Sequence, residues 1–91
     1  PDQYQLAPNY PNPFNPQTTI RFALPEAAEV TLEVYNAIGR RVAVLERGEQ
    51  LEPGWHSVVF DASHLASGVY FYRLETANGS FRRVRKMMLV K

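Results

Sequence analysis

The stretch Gly68-Val69-Tyr70-Phe71-Tyr72-Arg73-Leu74-Glu75-Thr76-Ala77-Asn78-Gly79-Ser80-Phe81-Arg82-Arg83-Val84-Arg85-Lys86-Met87-Met88-Leu89-Val90 decides the fold. Val69–Thr76 is rich in β-branched and aromatic residues, which suit a pleated and half-buried strand. Its alternation puts Tyr70, Tyr72 and Leu74 on one face. Asn78-Gly79 is the strongest short hairpin signal a sequence offers. Phe81–Val90 then returns antiparallel.

Upstream, the same grammar repeats. Thr18–Leu24 alternates, with Ile20, Phe22 and Leu24 on one face, and Pro25-Glu26 stops it. Val30–Tyr35 sets Val30, Leu32 and Val34 against Thr31, Glu33 and Tyr35. Asn36-Ala37-Ile38-Gly39 is a turn, with Gly39 free to take positive φ, and Arg40–Leu45 continues as a strand. Gly48–Gly54 reads as a loop and Trp55–Phe60 as a strand. Asp61–Ser67 reads as one short helical turn, with Asp61 as its N-cap and Gly68 as its terminator. No ten-residue window keeps a helical period. About seven short strands predict an all-β fold, a single antiparallel β-sandwich of the immunoglobulin-like or fibronectin-like kind spanning residues 1–91. Tyr70, after Gly68 and the Asp61–Leu65 crossover, sits where such folds place a tyrosine corner.

Residues 1–17 are rich in proline and asparagine. Each proline lacks an N–H and pushes its predecessor toward extended geometry, which excludes a helix or a central strand. Tyr10 and Phe14 are costly to leave in water, so the expectation is an extended leg packed on the sandwich.

The chain has 91 residues, no cysteine and a net charge of +1. The missing cysteines exclude disulfides, thiolate catalysis and thiolate zinc sites. No purely apolar run exceeds four residues, as at Met87–Val90, against the ~20 of a membrane helix. No secretory leader opens the sequence, and its first residue is Pro1; the expectation is a piece cut from a larger protein. The small net charge hides an asymmetry. Residues 80–91 carry five bases and no acid, while residues 1–79 carry five bases and nine acids.

No catalytic constellation emerges. His56 shares a strand face with Val58 and Phe60, the pattern of a core-edge histidine. His64 and Asp61 are two potential metal ligands on an exposed turn, too few for a site. Ser67 has no nucleophile elbow around it. Glu46, Glu49 and Glu52 read as a solvated cluster, and the glycines form no phosphate cradle. No cofactor or metal is called for. Trp55, Tyr35, Tyr70 and Tyr72 are candidates for a sugar-binding platform, with Trp55 the possible glycan contact, although core packing explains most of them. Asn78-Gly79-Ser80 fits an N-glycosylation acceptor but is explained by turn chemistry. The basic run Arg82, Arg83, Arg85 and Lys86 is suited either to guarding an edge strand against aggregation or to protein recognition. The acids elsewhere argue against nucleic acid. A C-terminal strand also offers main-chain groups for edge-strand pairing with another chain.

Four segments together carry a resemblance. They are Asn9-Tyr10-Pro11-Asn12-Pro13-Phe14-Asn15-Pro16-Gln17-Thr18-Thr19-Ile20, Val34-Tyr35-Asn36-Ala37-Ile38-Gly39, Leu65-Ala66-Ser67-Gly68-Val69-Tyr70-Phe71-Tyr72-Arg73-Leu74, and Arg85-Lys86-Met87-Met88-Leu89-Val90-Lys91. In that order, over nearly the whole chain, they resemble the C-terminal sorting domain of type IX secretion substrates (type A), a group close to the flagellar hook-capping immunoglobulin-like domains. The resemblance implies a non-catalytic module at the end of a secreted bacterial protein. Its partners would be that N-terminal parent and a protein receptor in the outer-membrane sorting machinery, reached through the periplasm, without membrane insertion. The parent would end up secreted or on the cell surface. The expected recognition residues are Arg82, Arg83, Arg85, Lys86, Met87, Leu89 and Lys91, with Lys86 and Lys91 facing the receptor and Met87 and Leu89 holding the strand. Phe14, Gly39, Gly68, Tyr70, Leu74, Asn78 and Gly79 are the structural motif. The alternatives are a carbohydrate-binding or surface-adhesion module of a multidomain hydrolase, and a spacer domain of the hook-cap kind.

Overall fold

A computed structural model describes residues 1–91 as seven strands in two antiparallel sheets, with no helix. The strands are β1 (Gln5–Leu6), β2 (Gln17–Leu24), β3 (Ala28–Asn36), β4 (Arg41–Leu51), β5 (Gly54–Asp61), β6 (Gly68–Thr76) and β7 (Arg82–Leu89). One sheet has the order β1-β2-β5 and the other β4-β3-β6-β7. The all-β sandwich expected from the alternation is the fold observed.

The core forms where the alternating faces meet. Ile20, Phe22 and Leu24 of β2 face Val30, Leu32 and Val34 of β3 and Tyr70, Tyr72 and Leu74 of β6, all buried. Each fully buried aliphatic or phenylalanine side chain contributes roughly 1.5–3 kcal/mol. The two buried tyrosines find partners for their polar ends. Tyr70 donates its hydroxyl to the Ala66 carbonyl at 2.7 Å, across the crossover, and Tyr72 donates to the Ala7 carbonyl at 2.7 Å.

Three local expectations are corrected. The strand after the first hairpin continues to Leu51, through the segment expected to be a loop from Gly48. It does so by slipping register: Val30 pairs with Glu49 but Leu32 with Glu46, and Gly48 takes φ +60 within that irregularity. Such a bulge needs a residue that tolerates positive φ. Asp61–Ser67 forms no helical turn. Asp61 ends β5, and its Oδ1 accepts the Ser63 N–H at 2.9 Å in a local Asx turn, with Leu65 N–H donating to the Ala62 carbonyl. The β6–β7 hairpin turns through Asn78-Gly79, as the sequence leads one to expect. Gly79 N–H donates to the Thr76 carbonyl, Thr76 N–H donates to Phe81, and Gly79 stands at φ +76. Finally, Phe14 is buried but Tyr10 is 81% exposed. Tyr10 contributes its main chain rather than its ring, by pairing with Thr19, while buried Asn9 donates to Thr18 Oγ1 and Thr18 donates to the Pro11 carbonyl.

Candidate functional site

β7 is an edge strand, and its pairing with β6 decides where each of its side chains goes. Leu74, Tyr72 and Tyr70 point into the core, and they pair with Arg83, Arg85 and Met87. The inward series of β7 is therefore Arg83, Arg85, Met87 and Leu89, and the outward series is Arg82, Val84, Lys86 and Met88. The basic run, one block in sequence, is divided between two faces.

The inward series is held by the leader. Met87 and Leu89 are buried. The Arg85 Nε–H donates to the Leu6 carbonyl, which ties β7 to β1. Arg83 lies over the Phe81 ring at 5.7 Å, and Phe81 stacks on Tyr4 with centroids 5.3 Å apart. Farther along, Phe14 runs beside the end of β7. Its N–H donates to the Met88 carbonyl at 2.9 Å, and its carbonyl accepts the Val90 N–H at 3.0 Å. Asn12 Oδ1 accepts the Met88 N–H at 3.0 Å. The C-terminal half of the β7 edge is thus already paired within the chain. Lys91 is exposed but tied down, with Nζ donating to the Ser63 carbonyl at 2.7 Å and its N–H to Ser67 Oγ.

The outward series lies beside the outer residues of β3 and β6. Arg82 and Lys86 are exposed and enter no ion pair. Between and beside them stand Val84, 48% exposed, and Met88, 43% exposed. A shallow groove of about 300 Å³ runs along Arg82, Val84, Phe71, Arg73 and Tyr35 toward the Asn36–Gly39 turn. Tyr35 and Arg73 of this groove also belong to a polar network centred on Glu33. Glu33 accepts from Arg41 and Arg73, each at 3.0 Å, and from the Tyr35 hydroxyl at 2.5 Å. The Tyr35 bond, helped by both arginines, holds the Glu33 carboxyl below its ordinary pKa, although burial opposes this. Burial and the same bond push the Tyr35 hydroxyl up. Glu33 is thereby committed to its neighbours, and Arg82 and Lys86 remain as the cations offered outward.

The other candidates are dispersed. Trp55 stands on the outer face of β5 with the Arg21 guanidinium 4.6 Å from its ring. Tyr35 is on the opposite sheet, and Tyr70 and Tyr72 are inside, so the four aromatics make no common platform. His56 stacks on Phe22 and its Nε2 lies 2.7 Å from the Glu52 carbonyl. No three His, Asp or Glu side chains come together as metal ligands. Sequence reasoning passed over Val84, Met88 and Phe71 as parts of the outer face; the alternation of β7 and β6 already assigned them to it. The Asn12 contact has no such signal.

The family model for the secretion system C-terminal sorting domain matches residues 9–90. The chain belongs to this sorting-domain family, that of type IX secretion. Two solved structures resemble the sorting domain in fold. One is PorZ, an essential bacterial surface component of the type IX secretion system of Porphyromonas gingivalis, at 20% identity and a TM-score of 0.61. That match covers 99% of this chain and 12% of the PorZ chain, so the sorting domain spans only a small part of that protein's length. The other is CopC from Methylosinus trichosporium OB3b, at 17% identity and a TM-score of 0.53, covering 96% of this chain and 91% of that one. At these identities the likeness is one of fold. No curated protein sequence matches the sorting domain.

Proposed function

We propose that the chain is a non-catalytic address module. It directs a larger secreted bacterial protein, delivered to the periplasm, to the outer-membrane type IX translocon and so to the cell surface. The observation that carries this reading is the family match over residues 9–90. The structure adds a physical division of labour along β7. Met87 and Leu89 anchor the strand in the core, Arg85 pins it to the leader, and Arg82 and Lys86 flank the exposed Val84 and Met88. A small apolar patch rimmed by unpaired cations suits a protein receptor with an acidic rim. Arg83 and Lys91 belong to the opposite series, Arg83 over the Phe81 ring and Lys91 held by Ser63 and Ser67. The carbohydrate alternative would rest on Trp55 alone, because the other aromatics point elsewhere.

The test is a fusion. A reporter with a periplasmic signal peptide is joined to residues 1–91 and expressed in a bacterium that has the type IX system. Export to the surface or medium is expected with the module, and periplasmic retention without it. Equal export with and without the module would overturn the reading.

A further inference from the structure

The two sides of the sandwich are finished differently. Along the β1/β7 side the leader closes the gap between the sheets with Tyr4, Leu6 and Phe14. Nothing does so along the β4/β5 side. There Val42, Leu45 and Leu51 of β4 and Val58 of β5 pack against the core but stay only partly buried. β5 is the outermost strand of its sheet over all of Gly54–Asp61.

The main-chain groups that β5 leaves open can be identified. In an antiparallel ladder they alternate between the partner strand and the free edge. Thr19 exchanges both its main-chain bonds with Tyr10, and the Arg21 carbonyl accepts from Ala7. Both residues therefore turn away from β5. Their partners are Val59 and Ser57, so these two turn their N–H and C=O groups to the open edge, and Trp55 follows by alternation. The same three residues carry side chains on the outer face, where Trp55 is 45% and Val59 62% exposed.

We propose that β5 pairs antiparallel with β5 of a second copy of this chain, about a two-fold axis at Ser57. In that register Ser57 meets Ser57 of the second copy, Trp55 meets Val59, and Val59 meets Trp55. Each of these pairs exchanges both its main-chain hydrogen bonds. An aromatic opposite a β-branched residue is a favourable cross-strand combination. A two-fold interface requires a self-complementary surface, and this strand supplies one. It carries no charged residue from Trp55 to Phe60, so no like charges are brought together. The product is a single continuous sheet of order β1-β2-β5-β5-β2-β1.

The other edges fail the same operation. Turning β7 about Val84 sets Arg82 against Lys86, which repels, and Phe14 already occupies the end of that edge. β4 is broken by register shifts and carries Arg41, Glu46, Arg47 and Glu49. β1 has two residues. An uncharged, regular edge strand is what proteins ordinarily avoid leaving open, and β5 is the one this chain leaves.

Sedimentation equilibrium on the 91-residue chain tests the proposal. A strand-edge contact is small, so association is expected in the range of ~10 μM to ~1 mM. The weight-average mass should rise from 10.4 kDa toward twice that value. Ser57 is exposed, and Ser57→Lys or Ser57→Glu sets like charges against each other on the axis. Each variant alone should associate at least about tenfold more weakly. An equimolar mixture of the two should regain the wild-type association, which a variant unable to fold would not allow. Val84→Lys should change nothing. A wild type that stays monomeric, a Ser57→Lys variant that associates like wild type, or a mixture that does not recover would each overturn the proposal.

Discussion

Glu33 shows how one residue can fix a local charge pattern. It is a largely buried carboxylate on the outer face of its sheet, held by Tyr35, Arg41 and Arg73. Its folded pKa lies below the ordinary 4.5. A carboxylate with a depressed folded pKa stabilises the fold fully above its ordinary pKa, and that contribution is lost as the pH falls through the folded value. Wild type should therefore lose stability as the pH drops below about 4.5, and Glu33→Gln should lose less over the same interval. Asp61, whose carboxyl is also held below its ordinary pKa by its bond from the Ser63 backbone, contributes a loss of the same sign at low pH and leaves a remainder in the variant. Urea unfolding midpoints at pH 7, 4 and 3 measure the difference. Parallel pH profiles for wild type and Glu33→Gln would show that the network does not bias Glu33.

At the scale of elements, the leader finishes one side of the sandwich with little regular strand beyond β1. It pairs at Gln5–Leu6, bridges at Tyr10 and Phe14, and fills the end of the core with the Phe14 ring, 6.2 Å from that of Phe60. Removing that ring by Phe14→Ala should cost about 3–5 kcal/mol, as other buried phenylalanines do. It should also speed amide exchange at Val90, whose N–H donates to the Phe14 carbonyl, more than at Tyr72. A loss below about 1 kcal/mol, the scale of an ordinary substitution, would mean the leader merely rests on the sandwich. The strands β2, β3 and β6 were legible in the sequence because their alternation survives intact from end to end. β1 was not, since two residues carry no period. The far half of β4 was not either, because a bulge at Gly48 and three mixed charges, Glu46, Arg47 and Glu49, imitate a loop. Tyr10 misled because its main chain, rather than its ring, makes the contact.

For the whole molecule, the basic C-terminal segment was visible as charge, but its division was not fully so. Alternation alone separates Arg82 and Lys86 from Arg83 and Arg85. That Arg85 is spent on the Leu6 carbonyl depends on a contact across 79 positions of chain, which no local pattern reports. The result is a sandwich whose last strand is anchored on one side and offers two unpaired cations and two exposed apolar residues on the other. Export is the property this arrangement should control. The most direct measurement compares surface export of a reporter fused to wild-type residues 1–91 with that of Arg82→Glu/Lys86→Glu. Arg40→Glu/Arg47→Glu serves as a control of equal charge change away from β7. At least about a tenfold loss of export is expected for the β7 pair and little change for the control, which corresponds to a receptor contact worth about 1.4 kcal/mol or more. Undiminished export by a folded Arg82→Glu/Lys86→Glu domain would contradict it.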